Sequence, residues 1–150
     1  MNIIIIFVAK YFVFISAAIA IVHVARQPRK KQKEMLVFAV ILLPLSYVFA
    51  KLVSRFYFDP RPFVEGNFTP LLPHAADNGF PSDHTLLAAA IAFAIFHFNK
   101  KLGLFLFFLA LLVGVARVLA GVHHAADIAG SIIIVGFVYF CAVYSTRKKE

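Results

Sequence analysis

Five long apolar runs, parted by short polar stretches, leave this chain few ways to fold. They cover roughly residues 2–25, 35–58, 81–98, 102–120 and 128–144. The apolar residues run on continuously instead of forming one stripe per helix, so the pattern is that of spanning helices and not of a water-soluble core. Crossing a bilayer core of about 30 Å takes about 20 residues at about 1.5 Å each. The run at 81–98 reaches that length only if its helix takes in Ser82 to Thr85, which puts His84 in the first turn. Composition agrees. The chain is 62% hydrophobic and 15% charged, against roughly 25% charged in soluble domains. Its 150 residues show no internal repeat, so one domain, 1–150, is expected. The expected fold is all-α, a polytopic membrane helix bundle of about five transmembrane helices. The first run contains Lys10, which can snorkel to the interface. This run has no basic start, and Ile21-Val-His-Val-Ala25 is a poor cleavage site, so it is expected to stay as a helix and not act as a signal peptide.

The net charge of +8 could mean a nucleic-acid partner, but its placement argues against one. Ten of the fifteen Lys and Arg lie in three places: Arg26, Arg29, Lys30, Lys31 and Lys33; Lys100 and Lys101; and Arg147, Lys148 and Lys149. With five spans, all three places fall on one side of the bilayer. The positive-inside rule makes that side cytoplasmic, with the N-terminus outside and the C-terminus cytoplasmic. Anionic lipids of the inner leaflet suit these clusters.

Three polar islands fall on the opposite side. They are Asp59-Pro-Arg-Pro62, Phe80-Pro-Ser-Asp-His84, and the stretch from Arg117 through His123 to Asp127. Ionisable residues at the edge of a membrane span are costly and are functional candidates by default. The segment 59–80 is rich in Pro, Gly and Asn, so it is expected to be an ordered external loop carrying short irregular or helical segments.

The residue types in these islands suit a phosphorylated lipid. Arg61 and Arg117 offer planar forks of donors for phosphate oxygens. Ser82 is a good helix N-cap, beside first-turn amides that favour an anion. His84, in that turn, can donate a proton to a leaving oxygen. His123 and Asp127 are spaced i, i+4, so the carboxylate can fix the imidazole tautomer. A neutral His123 nitrogen can then attack phosphorus and form a phosphohistidine, with no metal required. In the loop, His74 and Asp77 can contact a diphosphate or order the loop, ordering being the simpler expectation. His124 is expected to point away from the site. Cys141 is the single cysteine, which excludes an intramolecular disulfide.

Pro81-Ser-Asp-His84 and Arg117-x5-His123-x3-Asp127 resemble two motifs of the membrane type 2 phosphatidic-acid phosphatase superfamily. Within it, Pro60-Arg-Pro-Phe-Val64 and the stretch from Pro73 to Thr85 resemble the bacterial undecaprenyl-diphosphate phosphatases of the bacitracin-resistance type. The resemblance covers about half the chain, within a motif-bearing core at 51–130. It implies a nucleophile at His123, an acid/base at His84 and an orienting carboxylate at Asp127. It also implies phosphate binding by Arg61, Arg117, the Ser82 region and Lys51, with no cofactor and no metal. The implied substrate is a polyprenyl diphosphate, and the implied role is recycling of the cell-wall lipid carrier at the external face of the bacterial cytoplasmic membrane. The chain departs from the family pattern in places. Nine residues separate Lys51 from Arg61 where the family has six, so Arg55 competes with Lys51 for that role. Ala116 and Ala125 stand where the family often has Ser and Pro, and five spans are counted where it usually has six.

Other functions follow from the same residues. A phosphatidylglycerophosphate or phosphatidate phosphatase would use the same chemistry on a monoester. A non-enzymatic membrane transporter would place histidines and acids at mid-membrane, not at one interface. A lipid-binding protein without activity would not need the His84, His123 and Asp127 set.

Overall fold

The computed structural model describes residues 2–147, so Lys148 and Lys149 of the C-terminal basic group lie outside the described residues. Six helices follow in order: α1 (Asn2–Ala25), α2 (Arg29–Val53), α3 (Pro62–Glu65), α4 (Asp83–Phe98), α5 (Lys100–Leu119) and α6 (Ala125–Arg147). Among the described residues the only extended pairing is an isolated bridge between Pro60 and Asn78. Four helices, α1, α2, α5 and α6, are long and apolar enough to cross a membrane, and α4 is a shorter apolar helix of 16 residues. At about 1.5 Å per residue α4 is about 24 Å long, short of a full hydrocarbon core. It is nevertheless the central helix. It packs against α1, α2, α5 and α6.

Small residues let it do so. Ala88, Ala89 and Ala92 are fully buried on α4, and such residues allow helix backbones to approach closely where lipid offers no hydrophobic drive. Gly103 on α5 serves the same contact, because a Cβ there would collide with the backbone of Phe96. Asn99 makes the α4–α5 corner a single residue: its Oδ1 accepts from the Leu102 amide and caps α5. The large apolar side chains point the other way, as with Ile3, Phe14, Val40, Leu104 and Phe140 on the outer faces. Such outward apolar surface is what lipid requires.

Helix limits differ from those expected mainly at α2. The helix starts at Arg29, not Met35, because backbone hydrogen bonding continues through Arg and Lys, which are good helix formers. It ends at Val53, not near Phe58. The Asn78 amide takes the carbonyls of Ser54 (3.1 Å) and Tyr57 (2.9 Å), and the chain turns off toward Pro60. Pro44 lies inside α2 without ending it.

Alternating helix directions bring the C-terminal ends of α2 and α5 to the same end of the bundle as the N-terminal ends of α1, α4 and α6. Contacts across that end include Lys51 with Asp83 and the Leu71 amide with the Ala120 carbonyl. All three polar islands therefore lie at one end. The α1–α2 corner and Lys100 lie at the other.

Candidate active site

The loop between α2 and α4 is built around one amide side chain. Asn78 Oδ1 accepts from the amides of Asp59 and Phe80, each at 3.0 Å, while its Nδ2 donates to Ser54 and Tyr57. All of its hydrogen-bonding capacity goes into the turn. Next to it, a Cβ on Gly79 would stand 3.1 Å from both Asp127 Oδ2 and the Asp59 carbonyl, so the backbone passes tightly over Asp127. Neither Asn78 nor Gly79 stood out in the sequence, where both read as ordinary turn residues.

This fold delivers Arg61 to Arg117 and His123. Both arginines are 4% exposed, and His123 and Asp127 are 2% and 1% exposed. His123 lies in the α5–α6 corner, where Gly121 takes a positive φ of 76° that suits glycine. Its Nδ1 donates to Asp127 Oδ2 at 3.1 Å, and the His124 amide donates to the same oxygen at 2.9 Å. Arg61 Nη1 and Arg117 Nη2 each lie 3.4 Å from His123 Nε2. A guanidinium has donors only, so Nε2 must be the lone-pair nitrogen. Burial holds the His123 pKa below the usual histidine range. The hydrogen bond to Asp127 opposes this, and the Arg117 and Arg61 charges add to it. The ring is thus neutral at neutral pH, with Nδ1–H on Asp127 and a free pair on Nε2 aimed at two cations.

The loop lays one side chain on each guanidinium. Arg61 Nε donates to Asp77 Oδ1 at 2.8 Å, and its Nη1 donates to the Val122 carbonyl at 2.8 Å. Arg117 Nη2 donates to His74 Nε2 at 3.1 Å. Burial alone would raise Asp77, but Arg61, by hydrogen bond and charge, holds it below the usual carboxylate range. Partial burial, then the Arg61 and Arg117 charges, hold His74 below the usual histidine range. Arg117 Nε is buried with no hydrogen-bond partner.

A second layer stands behind Asp127. His124 points away from the arginines, as expected. Its Nδ1 meets Asp59 Oδ2 at 3.1 Å and its Nε2 meets Glu65 Oε2 at 3.4 Å. Ligating atoms of Asp59, His124 and Asp127 lie within 4.8 Å of one another, the one such group among the described residues that could hold a metal ion. Burial, then the neighbouring Asp127, raises the Asp59 pKa. Asp127 Oδ1 is buried with no hydrogen-bond partner. Ser131 adds a tie between helices, its hydroxyl lying 2.7 Å from the Asp127 carbonyl and 3.1 Å from that of Ser82.

The remaining expected residues divide. His84 lies in the first turn of α4 and is partly buried, with the titratable groups of Arg117, His123, Asp83 and His74 around it. Ser82 occupies the N-cap position but makes no capping bond through its side chain. Its hydroxyl instead accepts from Thr85 Oγ1 at 3.2 Å. Lys51 does not join the arginines. Its Nζ pairs with Asp83 at 3.1 Å and lies over the Tyr47 ring, with its side chain 46% exposed. Arg55 lines a shallow pocket with Lys51 and Tyr47.

The chain is similar to known proteins in sequence and in fold. The Bacillus subtilis (strain 168) protein named undecaprenyl-diphosphatase BcrC is 35% identical over 140 residues, covering 91% of this chain and 72% of that protein. The Bacillus licheniformis bacitracin transport permease protein BcrC is 33% identical, covering 89% and 66%. Among solved structures, Aquifex aeolicus LpxE superposes with a TM-score of 0.76 at 22% identity, covering 96% of this chain and 87% of that one. A PAP2 type phosphatidylglycerolphosphate phosphatase from Bacillus subtilis gives 0.62 at 23% identity, covering 99% and 77%. These two share the fold. Residues 33–150 match the PAP2 superfamily, and with that match over most of its length the chain, a multi-pass membrane protein, belongs to this family of phosphatases.

Proposed function

We propose that this protein hydrolyses undecaprenyl diphosphate to undecaprenyl phosphate and inorganic phosphate through a phosphohistidine at His123. The observation that carries this is the position of His123 Nε2, a neutral nitrogen held between Arg61 and Arg117 with Asp127 on its far side. In the first step Nε2 attacks the terminal phosphorus. The bond from that phosphorus to the bridging oxygen breaks, and the lipid phosphate leaves with a proton from His84. Asp127 stabilises the positive charge that develops on the ring. Arg61 and Arg117 bind the equatorial oxygens, where the transition-state charge lies. In the second step water attacks the phosphohistidine, His84 accepts its proton, and the P–N bond breaks to release phosphate.

The first-turn amides of α4, beside Ser82, add an anion site at the same place. Lys51 contributes at the lip, where it can exchange Asp83 for a lipid headgroup. The whole chain acts as one catalytic domain, with its core at 51–130. The external face carries the site, and the basic corners at the other end face the cytoplasm in the bacterial cytoplasmic membrane. The similarity to BcrC supports the diphosphate substrate. The relative named as a transport permease raises transport as a rival, but here the buried ionisable groups gather at one end of the bundle.

Purified protein is expected to release phosphate from undecaprenyl diphosphate in the presence of a metal chelator, and faster than from phosphatidylglycerophosphate. A preference for the monoester would overturn the substrate assignment. Phosphate release by His123→Ala at the native rate would overturn the mechanism.

A further inference from the structure

We propose that His74 is the residue that favours a diphosphate over a phosphomonoester, by donating its Nδ1–H to the phosphate that leaves with the lipid. This inference rests on the phosphatase reading above and names a specificity determinant for it. The geometry starts at Arg117, whose Nη2 donates to two imidazole nitrogens, His123 Nε2 and His74 Nε2, at 3.4 and 3.1 Å. Because the guanidinium cannot accept, His74 must carry its proton on Nδ1. That Nδ1–H has no hydrogen-bond partner among the described residues, and His74 is exposed. A donor is thus pinned beside the nucleophile, with the two rings 6.1 Å apart, centroid to centroid, and inclined at 77°.

The direction of the chemistry then gives the donor a use. The attacked phosphorus faces His123 Nε2, and its leaving oxygen must lie on the far side, toward His84. His74 shares Arg117 with His123 and lies beside that ring, so its free Nδ1–H is available to a group bound next to the attacked phosphorus. A diphosphate places a second phosphate there; a monoester places an alkyl oxygen there, with no anionic group to receive the bond. The opposite loop residue differs. Asp77 spends its carboxylate on Arg61 and, being anionic, would repel a phosphate.

The test compares farnesyl diphosphate with farnesyl monophosphate in detergent, using native protein, His74→Ala and His74→Gln. For His74→Ala the ratio of kcat/KM for diphosphate over monophosphate is expected to fall about tenfold or more, the size of one hydrogen bond to a charged group. His74→Gln, which keeps an acceptor for Arg117 and an N–H donor, is expected to recover much of the ratio. Inhibition by inorganic diphosphate relative to inorganic phosphate reads the same selectivity without turnover and is expected to weaken in parallel in His74→Ala. If both substrates lose equally and the inhibitor ratio is unchanged, His74 only orders the loop and Arg117, and the inference is wrong. If native protein itself prefers the monophosphate, the diphosphatase reading falls first and takes the inference with it.

Discussion

The two ends of the bundle carry the same kinds of charge in opposite settings. At one end, Arg61 and Arg117 are buried beside His123 and Asp127. At the other, Arg26, Arg29, Lys30, Lys33, Lys100 and Lys101 are exposed at helix ends. Exposed cations cost little and serve as anchors. A buried cation persists only with partners, or with an anion to come. Asp77 and the Val122 carbonyl fill most of the Arg61 fork, whereas Arg117 Nε is left without a partner. The difference separates a site, built on two single arginines, from a topology signal, built on runs of basic residues.

Mutations should respect that division. The largest loss is expected for His123→Ala, roughly 10⁴-fold or more in phosphate release, since it removes the nucleophile of a group that acts as a unit. Arg61→Lys and Arg117→Lys keep the charge but lose the fork, and about 10²-fold loss in kcat is expected for each. Arg61→Gln adds a pH signature. Burial and then the two arginines depress the His123 pKa, so removing one cation lets it rise, and the acid limb of kcat/KM moves to higher pH. A limb that stays put or moves to lower pH would break the link between the arginines and the ring. Asp59→Asn keeps an oxygen for His124 Nδ1 and should stay within about threefold, while Asp59→Ala should lose about tenfold, in line with the loss of one hydrogen bond to a carboxylate. At the far end, replacing Lys30, Lys31 and Lys33 together by Gln should change activity in detergent by less than about twofold, as surface charges do. A large loss there would erase the contrast between the ends.

Parts of this arrangement were legible in the sequence because they are local or periodic. The i, i+4 spacing of His123 and Asp127 puts them in contact wherever that corner turns, and helix parity brings the islands together once the spans are counted. The rest depends on how the loop folds back. His74 reaches Arg117 across 43 positions and Arg61 reaches Val122 across 61, and no period records such distances. The end of α2 was misplaced for the same reason, since the residues up to Phe58 are apolar enough for a helix and are drawn off by Asn78, twenty positions on. The first six residues of α2, Arg29 to Glu34, carry no apolar signal, because hydropathy marks where lipid begins and not where a helix does.

The covalent step is the centre of the account, and it can be observed directly. Native protein mixed with undecaprenyl diphosphate labelled with ³²P at the terminal phosphate, quenched in alkali and digested, is expected to carry label on the peptide containing His123. His123→Ala is expected to carry none. Label on His84 instead, or rapid turnover by native protein with no labelled histidine at any quench time, would contradict it.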